Sequence, residues 1–267
     1  MLEVKAATIQ TSPVFGAIQE NLHTALDLIP KNCDLVVLPE LFATGYQFIS
    51  RQEALAVAED VTCRKGDNPI CDRLDSLAAE RNMTIVAGLA ERSGDSLFNS
   101  SVLFHPDGSH GVYRKVHLFL DEKLIFDPGD LGFPVFKACG TTLGMMVCFD
   151  WIFPEAARSL ALSGAEILCH PSNLLLPWCP AAMITRSQEN RVFSLTSNRI
   201  GREDRTGAPA EFIGMSQIVS PQGELLSRLG SDGEGAAEAT LRIVEQDKML
   251  TPSNDLWDDR RPDQYRL

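Results

Sequence analysis

Three residues of complementary chemistry stand at the ends of apolar runs in this chain. Glu40 follows "DLVVLP", Lys115 ends "GVYRK" ahead of "VHLF", and Cys148 closes "LGMMV" and opens "CFDWIFPE". Singly, each has an ordinary explanation. An acid after a strand is commonly a solvated loop residue, a lysine between apolar stretches snorkels to water, and a free cysteine packs as a small hydrophobe. Together they supply the parts of nucleophilic catalysis. A thiolate attacks, a carboxylate takes the thiol proton and later activates water, and an ammonium stabilises charge developing on a substrate oxygen. A cysteine beside a cation, ahead of a helix opened by Pro154, is expected to have a lowered pKa.

These groups can act only if rigid elements hold them at one edge. Strand and helix patterns alternate along the chain. Residues 2–10, 35–38, 84–90 and 101–104 read as strands, and 111–115 returns after the turn His105-Pro-Asp-Gly. Leu22, Ala25, Leu26 and Ile29 recur on one helical face, and Asn68 with Pro69 opens another helix, Asn68 being the expected cap. Further strands are expected at 142–147, 166–171, 194–198 and 213–220. The last forms a hairpin with 225–229 through Pro221-Gln-Gly, and helices start at Pro154 (stopping at Gly164) and Pro180. Strands separated by helices imply an α/β layered fold, in which ligands sit at strand ends on one edge of a sheet. The strand–Cys–helix turn at Cys148 is similar in principle to a nucleophile elbow, without its glycine motif.

The chain has 267 residues, 44% hydrophobic and 22% charged, ample for a sizeable core in one domain, residues 1–267. Its net charge of −12 has no Lys/Arg block beside it, which argues against nucleic acid. No apolar run approaches a membrane helix, and "MLEVKAATIQ" lacks signal-peptide order. A cytoplasmic protein is expected. The seven cysteines, Cys33, Cys63, Cys71, Cys139, Cys148, Cys169 and Cys179, are odd in number and include no CxxC. Most are expected to be free. Cys169-His170 is adjacent but lacks zinc-site spacing, so no metal is expected.

The three signatures, in this order, resemble those of the nitrilase superfamily of carbon–nitrogen hydrolases. "LVVLPELFATGY" is similar to the glutamate motif, "YRKVHLF" to the lysine motif and "CFDWIFPE" to the cysteine motif. "HPSN" at 170–173 and "RSQENRVF" at 186–193 also match, and the resemblance runs from about residue 4 to the end. It implies a four-layer αββα sandwich that pairs into homodimers or higher homo-oligomers, with the tail 251–267 packing at an oligomer interface. It implies Glu40 as general base, Lys115 as catalytic lysine and Cys148 as nucleophile. Glu122, in "HLFLDEK", matches a second glutamate that many members carry. The Phe149 N–H is placed to join Lys115 as an oxyanion donor. Asp150 and Glu155 are expected to hold local geometry, and His117 either to contact substrate or, the favoured reading, to hold its loop.

The form C-F-D-x-x-F-P-E is closer to the amidase, ω-amidase and carbamoylase branches than to typical nitrilases. The expected reaction is hydrolysis of a small amide to acid and ammonia through a cysteine thioester, without cofactor. Alternatives are a nitrile taken through a thioimidate, an N-carbamoyl substrate, and a redox-sensing or scaffold module in which Cys148 does no turnover. Tyr46 and Asn173, inside family motifs, are candidates for the substrate-binding wall. Trp178 and Met183 follow "HPSN" closely and are weighed between that wall and core packing.

Overall fold

The structure is a computed structural model and describes residues 1–62, 66, 68–244 and 248–266. Cys63 and the last residue of the tail lie outside the described residues.

In chain order the elements begin with β1 (Leu2–Gln10), α1 (Ile18–Asp27), β2 (Leu35–Val37), α2 (Arg51–Leu55), α3 (Pro69–Arg81), β3 (Thr84–Ser93), β4 (Ser96–Phe104) and β5 (His110–Arg114). There follow α4 (Glu122–Ile125), β6 (Val135–Ala138), β7 (Thr141–Met145), α5 (Pro154–Leu162), β8 (Ile167–Pro171), α6 (Cys179–Asn190) and β9 (Phe193–Ser197). The last are β10 (Ile200–Glu203), β11 (Ala210–Ile213), β12 (Gln217–Val219), β13 (Leu225–Arg228) and β14 (Gly235–Ile243), then two short tail strands, β15 (Met249–Thr251) and β16 (Asn254–Asp255).

Two six-stranded sheets form, in the orders β14-β1-β2-β3-β4-β5 and β13-β12-β9-β8-β7-β6. Each has a parallel centre, β1-β2-β3 and β7-β8-β9, flanked by antiparallel strands. Period-2 alternation decides which side chains face which layer. In β1, Val4 and Ala6 join Leu35, Val37 and Val86 against Met145, Ile167, Cys169 and Leu195 of the other sheet. Ala7 and Ile9 face outward with Val36 and Leu38, onto Leu22 and Leu26 of α1 and Leu74 and Leu77 of α3. On the far side Met146 and Leu168 pack under Ala157, Leu160 and Ala161 of α5. The layers are therefore helix, sheet, sheet, helix: the expected αββα sandwich.

Two local expectations change. The Asn68 side chain does not cap α3. It bonds the Asp60 backbone instead, and the Glu59 carboxylate takes the Ile70 and Cys71 N–H groups at 2.7 and 2.8 Å. An anion at this helix start also meets the positive end of the helix dipole. The run 213–220 is not one strand. Gly214 and Met215 both have positive φ, 63° and 61°, which divides β11, paired with β10, from β12 in the second sheet. In the tail, Trp257 lies against the α5 cluster, with the Arg158 guanidinium 4.9 Å from its ring centroid. No helix among the described residues is long and apolar enough to cross a membrane.

Candidate active site

Glu40 lies just past β2. Leu38 N–H still bonds the Val86 carbonyl at 2.8 Å, so the pairing with β3 carries the chain up to the acid. The contact is so close that a Cβ at Gly88 of β3 would stand 2.4 Å from Glu40 Cα. Only glycine fits there. Lys115 lies just past β5 and is tied by its N–H to Asn99 of β4 at 2.8 Å. Both side chains are withdrawn from water, with Glu40 0% and Lys115 1% exposed.

Lys115 Nζ donates to Glu40 Oε1 at 2.7 Å and to the Glu122 carboxylate at 2.8 Å. Burial alone would lower the lysine pKa. Glu122 and Glu40 outweigh it and hold the ammonium charged. Asn99 Nδ2 also donates to Glu40 Oε1, at 2.6 Å. Both donors thus sit on one oxygen, and Glu40 Oε2 is buried without a hydrogen-bond partner among the described residues. Glu122, the first residue of α4, is further held by the Tyr46 hydroxyl at 2.8 Å and the Phe119 N–H at 3.1 Å. Burial raises its pKa to about 6; Lys115 pulls it down and Glu40 pushes it up.

Cys148 occupies a strained corner, with φ +42°, a region that costs a non-glycine residue on the order of 1–3 kcal/mol. Asp150 holds the corner. It is 0% exposed and accepts bonds from Val147 N–H at 2.8 Å, the Tyr113 hydroxyl at 2.7 Å and His117 Nδ1 at 2.8 Å. Tyr113 belongs to β5, so this network joins the Cys148 corner to the strand that leads into Lys115. His117 stacks on Phe153 with centroids 3.8 Å apart, the loop-holding position expected for it. On the other side His170 Nε2–H donates to the Cys148 carbonyl at 2.9 Å while Thr196 Oγ1 sits 3.2 Å from Nδ1. Burial keeps this imidazole neutral, and no metal-holding group of His, Cys, Asp and Glu occurs among the described residues.

The expected fall in the Cys148 pKa is reversed. Burial and the Glu40 carboxylate push it well above the usual thiol value. Lys115 and the Asn173 backbone N–H, which bonds the sulfur, pull the other way and lose. The helix dipole is also less direct than expected, because a 3-10 turn, Cys148–Ile152, precedes α5. The resting group is a thiol, and attack requires a base. High pKa does not set this cysteine apart: burial also raises Cys33, to about 12. Its neighbours Glu40 and Lys115 do.

Of the two residues expected at the substrate wall, Tyr46 lines the cavity beside Glu122, whereas Asn173 does not and meets the Cys148 thiol through its backbone N–H. Asn173 is buried, and its side-chain Nδ2 and Oδ1 have no partner among the described residues. Trp178 is 62% exposed at the start of α6, so core packing fails for it, and it does not line the pocket beside Tyr46 and Glu122. Met183 is fully buried in the inter-sheet core. Glu155 lies in the first turn of α5, as expected for local geometry.

Beside Tyr46 and Glu122 opens a cavity of about 570 Å³, counting its mouth. Its wall continues through Leu175, two residues beyond the Asn173 whose N–H meets the thiol. One contact set was not legible beforehand. Glu203 of β10, paired with the buried Arg199, accepts the N–H groups of Tyr46 (3.1 Å) and Gln47 (2.7 Å). Arg199 also lies 4.1 Å over the Phe212 ring, which meets Tyr46 edge-on. This pair fixes the segment that carries the Tyr46 hydroxyl to Glu122. The only sequence signal was two charges at i, i+4, common on any surface.

Comparison with known proteins bears on this arrangement. The carbon-nitrogen hydrolase family profile matches residues 5–248. A protein named nitrilase from Pyrococcus abyssi is 42% identical over 268 residues, 98% of this chain and 99% of its own. N-carbamoylputrescine amidase of Solanum tuberosum is 30% identical over 94% of this chain and 90% of its own. The crystal structure of an amidase from Nesterenkonia sp. superposes with a TM-score of 0.79 at 26% identity, over 97% of this chain and 94% of the other. A glutamate-to-glutamine mutant of the amidase from Nesterenkonia sp. AN1, with TM-score 0.75, 26% identity and coverage of 89% and 90%, shows covalent addition of the acetamide moiety of fluoroacetamide at its active-site cysteine. With the Glu40, Lys115 and Cys148 signatures just past β2, β5 and β7 of an αββα sandwich and a family match over nearly the whole length, the chain belongs to the carbon–nitrogen hydrolases of the nitrilase superfamily.

Proposed function

We propose that this hydrolase cleaves a small amide to a carboxylic acid and ammonia through a thioester on Cys148. The observation that carries the reading is the divided state of Glu40. One carboxylate oxygen is held by Lys115 and Asn99, and the other is buried without a partner. Such an atom costs roughly 1–3 kcal/mol, offset when it takes the proton of a nearby thiol. Because Cys148 rests protonated, Glu40 Oε2 receives that proton as sulfur bonds to the amide carbon. The new oxyanion is met by Lys115 Nζ and the Phe149 N–H. The tetrahedral centre collapses, the C–N bond breaks, and Glu40 returns the proton to departing ammonia. Water, deprotonated by Glu40, then attacks the thioester and releases the acid with the thiol restored. Glu122 orients Lys115 and, with Tyr46 and Asn173, borders the substrate.

The relative named nitrilase favours a second reading. A nitrile follows the same route through a thioimidate and needs one more water. N-carbamoyl compounds are a third class. Ammonia release from matched amides, nitriles and N-carbamoyl compounds, with intact-mass detection of acylated Cys148, separates them. Faster turnover of amides, lost in Cys148→Ala, is expected. Turnover surviving in that variant refutes the nucleophile. The free thiols suit the reducing cytoplasm, and a homodimer with tail 251–267 at its interface belongs to the same proposal, checked by size exclusion.

A further inference from the structure

We infer that the acyl group of the substrate is an uncharged hydrocarbon chain seated in the cavity beside Glu122, and that amides ending in a second carboxylate are rejected there. This rests on the amide-hydrolase reading above and narrows its substrate class.

The cavity wall is built mainly from Phe48, Leu120, Ile125, Phe126, Leu175 and Pro209. Its polar members are already engaged. Gln47 Nε2 donates to Ala208 O at 2.7 Å and Thr206 Oγ1 at 3.2 Å, and Gln47 Oε1 accepts the Arg205 N–H at 2.8 Å. The Tyr46 hydroxyl is given to Glu122. Among the described residues, the charged members of the wall are Asp121 and Glu122, both acidic, and no lysine or arginine lines it. Arg205, which bonds the Gln47 carbonyl, is turned to Glu53 at 2.8 Å.

Each ligand methylene buried against such a wall favours binding by about fourfold. A terminal carboxylate would lose its water, find no cation, and approach the acidic side of the site, where one ammonium already serves two carboxylates. A terminal ammonium would meet Glu122, whose carboxylate is already taken by Lys115, the Tyr46 hydroxyl and the Phe119 N–H, and Asp121, which stands in solvent, and would gain little from either.

The test uses the full chain with three amides of equal length: hexanamide, adipic acid monoamide and 6-aminohexanamide. Initial rates of ammonia release are read with intact-mass detection of acylated Cys148. Hexanamide is expected to exceed adipic monoamide by about 100-fold in kcat/KM, equivalent to about 2.8 kcal/mol, and 6-aminohexanamide by about tenfold. A second measurement uses Ala208→Arg. Ala208 is an exposed member of the wall and meets Gln47 through its backbone carbonyl, so the substitution places a cation at the wall while that backbone hydrogen bond is kept. The ratio of adipic monoamide to hexanamide turnover is expected to rise about tenfold at an unchanged melting temperature. Equal or faster turnover of either charged amide by the unaltered chain, or an unchanged ratio in Ala208→Arg, overturns the inference and leaves the hydrolase reading standing. Absence of both turnover and acylation with all three amides overturns the hydrolase reading and this inference with it.

Discussion

Replacing Lys115 with methionine removes the one ammonium that joins two buried carboxylates at 2.7 and 2.8 Å. Loss of one partner from a buried charge cluster costs about 3–5 kcal/mol. For a chain of this size, at about 2–4 °C per kcal/mol, melting should fall by roughly 6–20 °C at pH 8. The sign of the pH dependence follows from Glu122. Its folded pKa, about 6, lies above its ordinary value of 4.5 because burial favours the neutral acid. Its contribution to stability is therefore present below about 4.5 and lost as pH rises through about 6. Removing Lys115 withdraws the influence that lowers this pKa and extends the window upward, so the variant should lose less melting temperature at pH 5.5 than at pH 8. Turnover should fall on the order of 100- to 1,000-fold, as for loss of one oxyanion donor. Lys115→Arg keeps charge but not geometry, since the planar fork is bulkier and differently aimed, and should lose most turnover too. Steady-state kinetics and thermal melts at both pH values test this. Near-native turnover in Lys115→Arg refutes the donor role, and an equal melting loss at pH 5.5 and 8 refutes the electrostatic account of the cluster.

Glu122→Gln should slow acylation, remove the acid limb near pH 6 from the kcat/KM profile, and leave Cys148 open to iodoacetamide. A retained limb would assign that titration to another group. Glu203→Gln leaves the buried Arg199 guanidinium without its carboxylate and weakens the grip on the Tyr46 and Gln47 N–H groups. Melting should fall, and the acid midpoint should move above 6 as Tyr46 loosens from Glu122. Lower melting with an unmoved midpoint would make the pair structural only.

The family and the candidate site were legible in the sequence because residue type and local pattern mark them. Glu40, Lys115 and Cys148 each end a short apolar run, and such runs become strands through side-chain alternation alone. The alternation of those strands with helices implied layers, and the nitrilase-like signatures implied two sheets. What the sequence left undetermined depends on contacts between distant segments. The Cys148 pKa turns on burial and on Glu40, more than 100 residues away, so a local argument from cation and helix predicted the wrong direction. Glu59 displaced Asn68 as the cap of α3 because its carboxylate reaches the Ile70 and Cys71 N–H groups while the Asn68 side chain is taken by the Asp60 backbone. Trp178 stands exposed because the helix it precedes turns Met183, not the indole, into the core. Glu203 reaches Tyr46 across 157 positions of sequence, and the charge-poor wall beside Glu122 is assembled from segments near residues 46, 122, 175 and 208. Burial, field and pocket shape arise only when separate segments share one volume, and that sharing belongs to the tertiary structure.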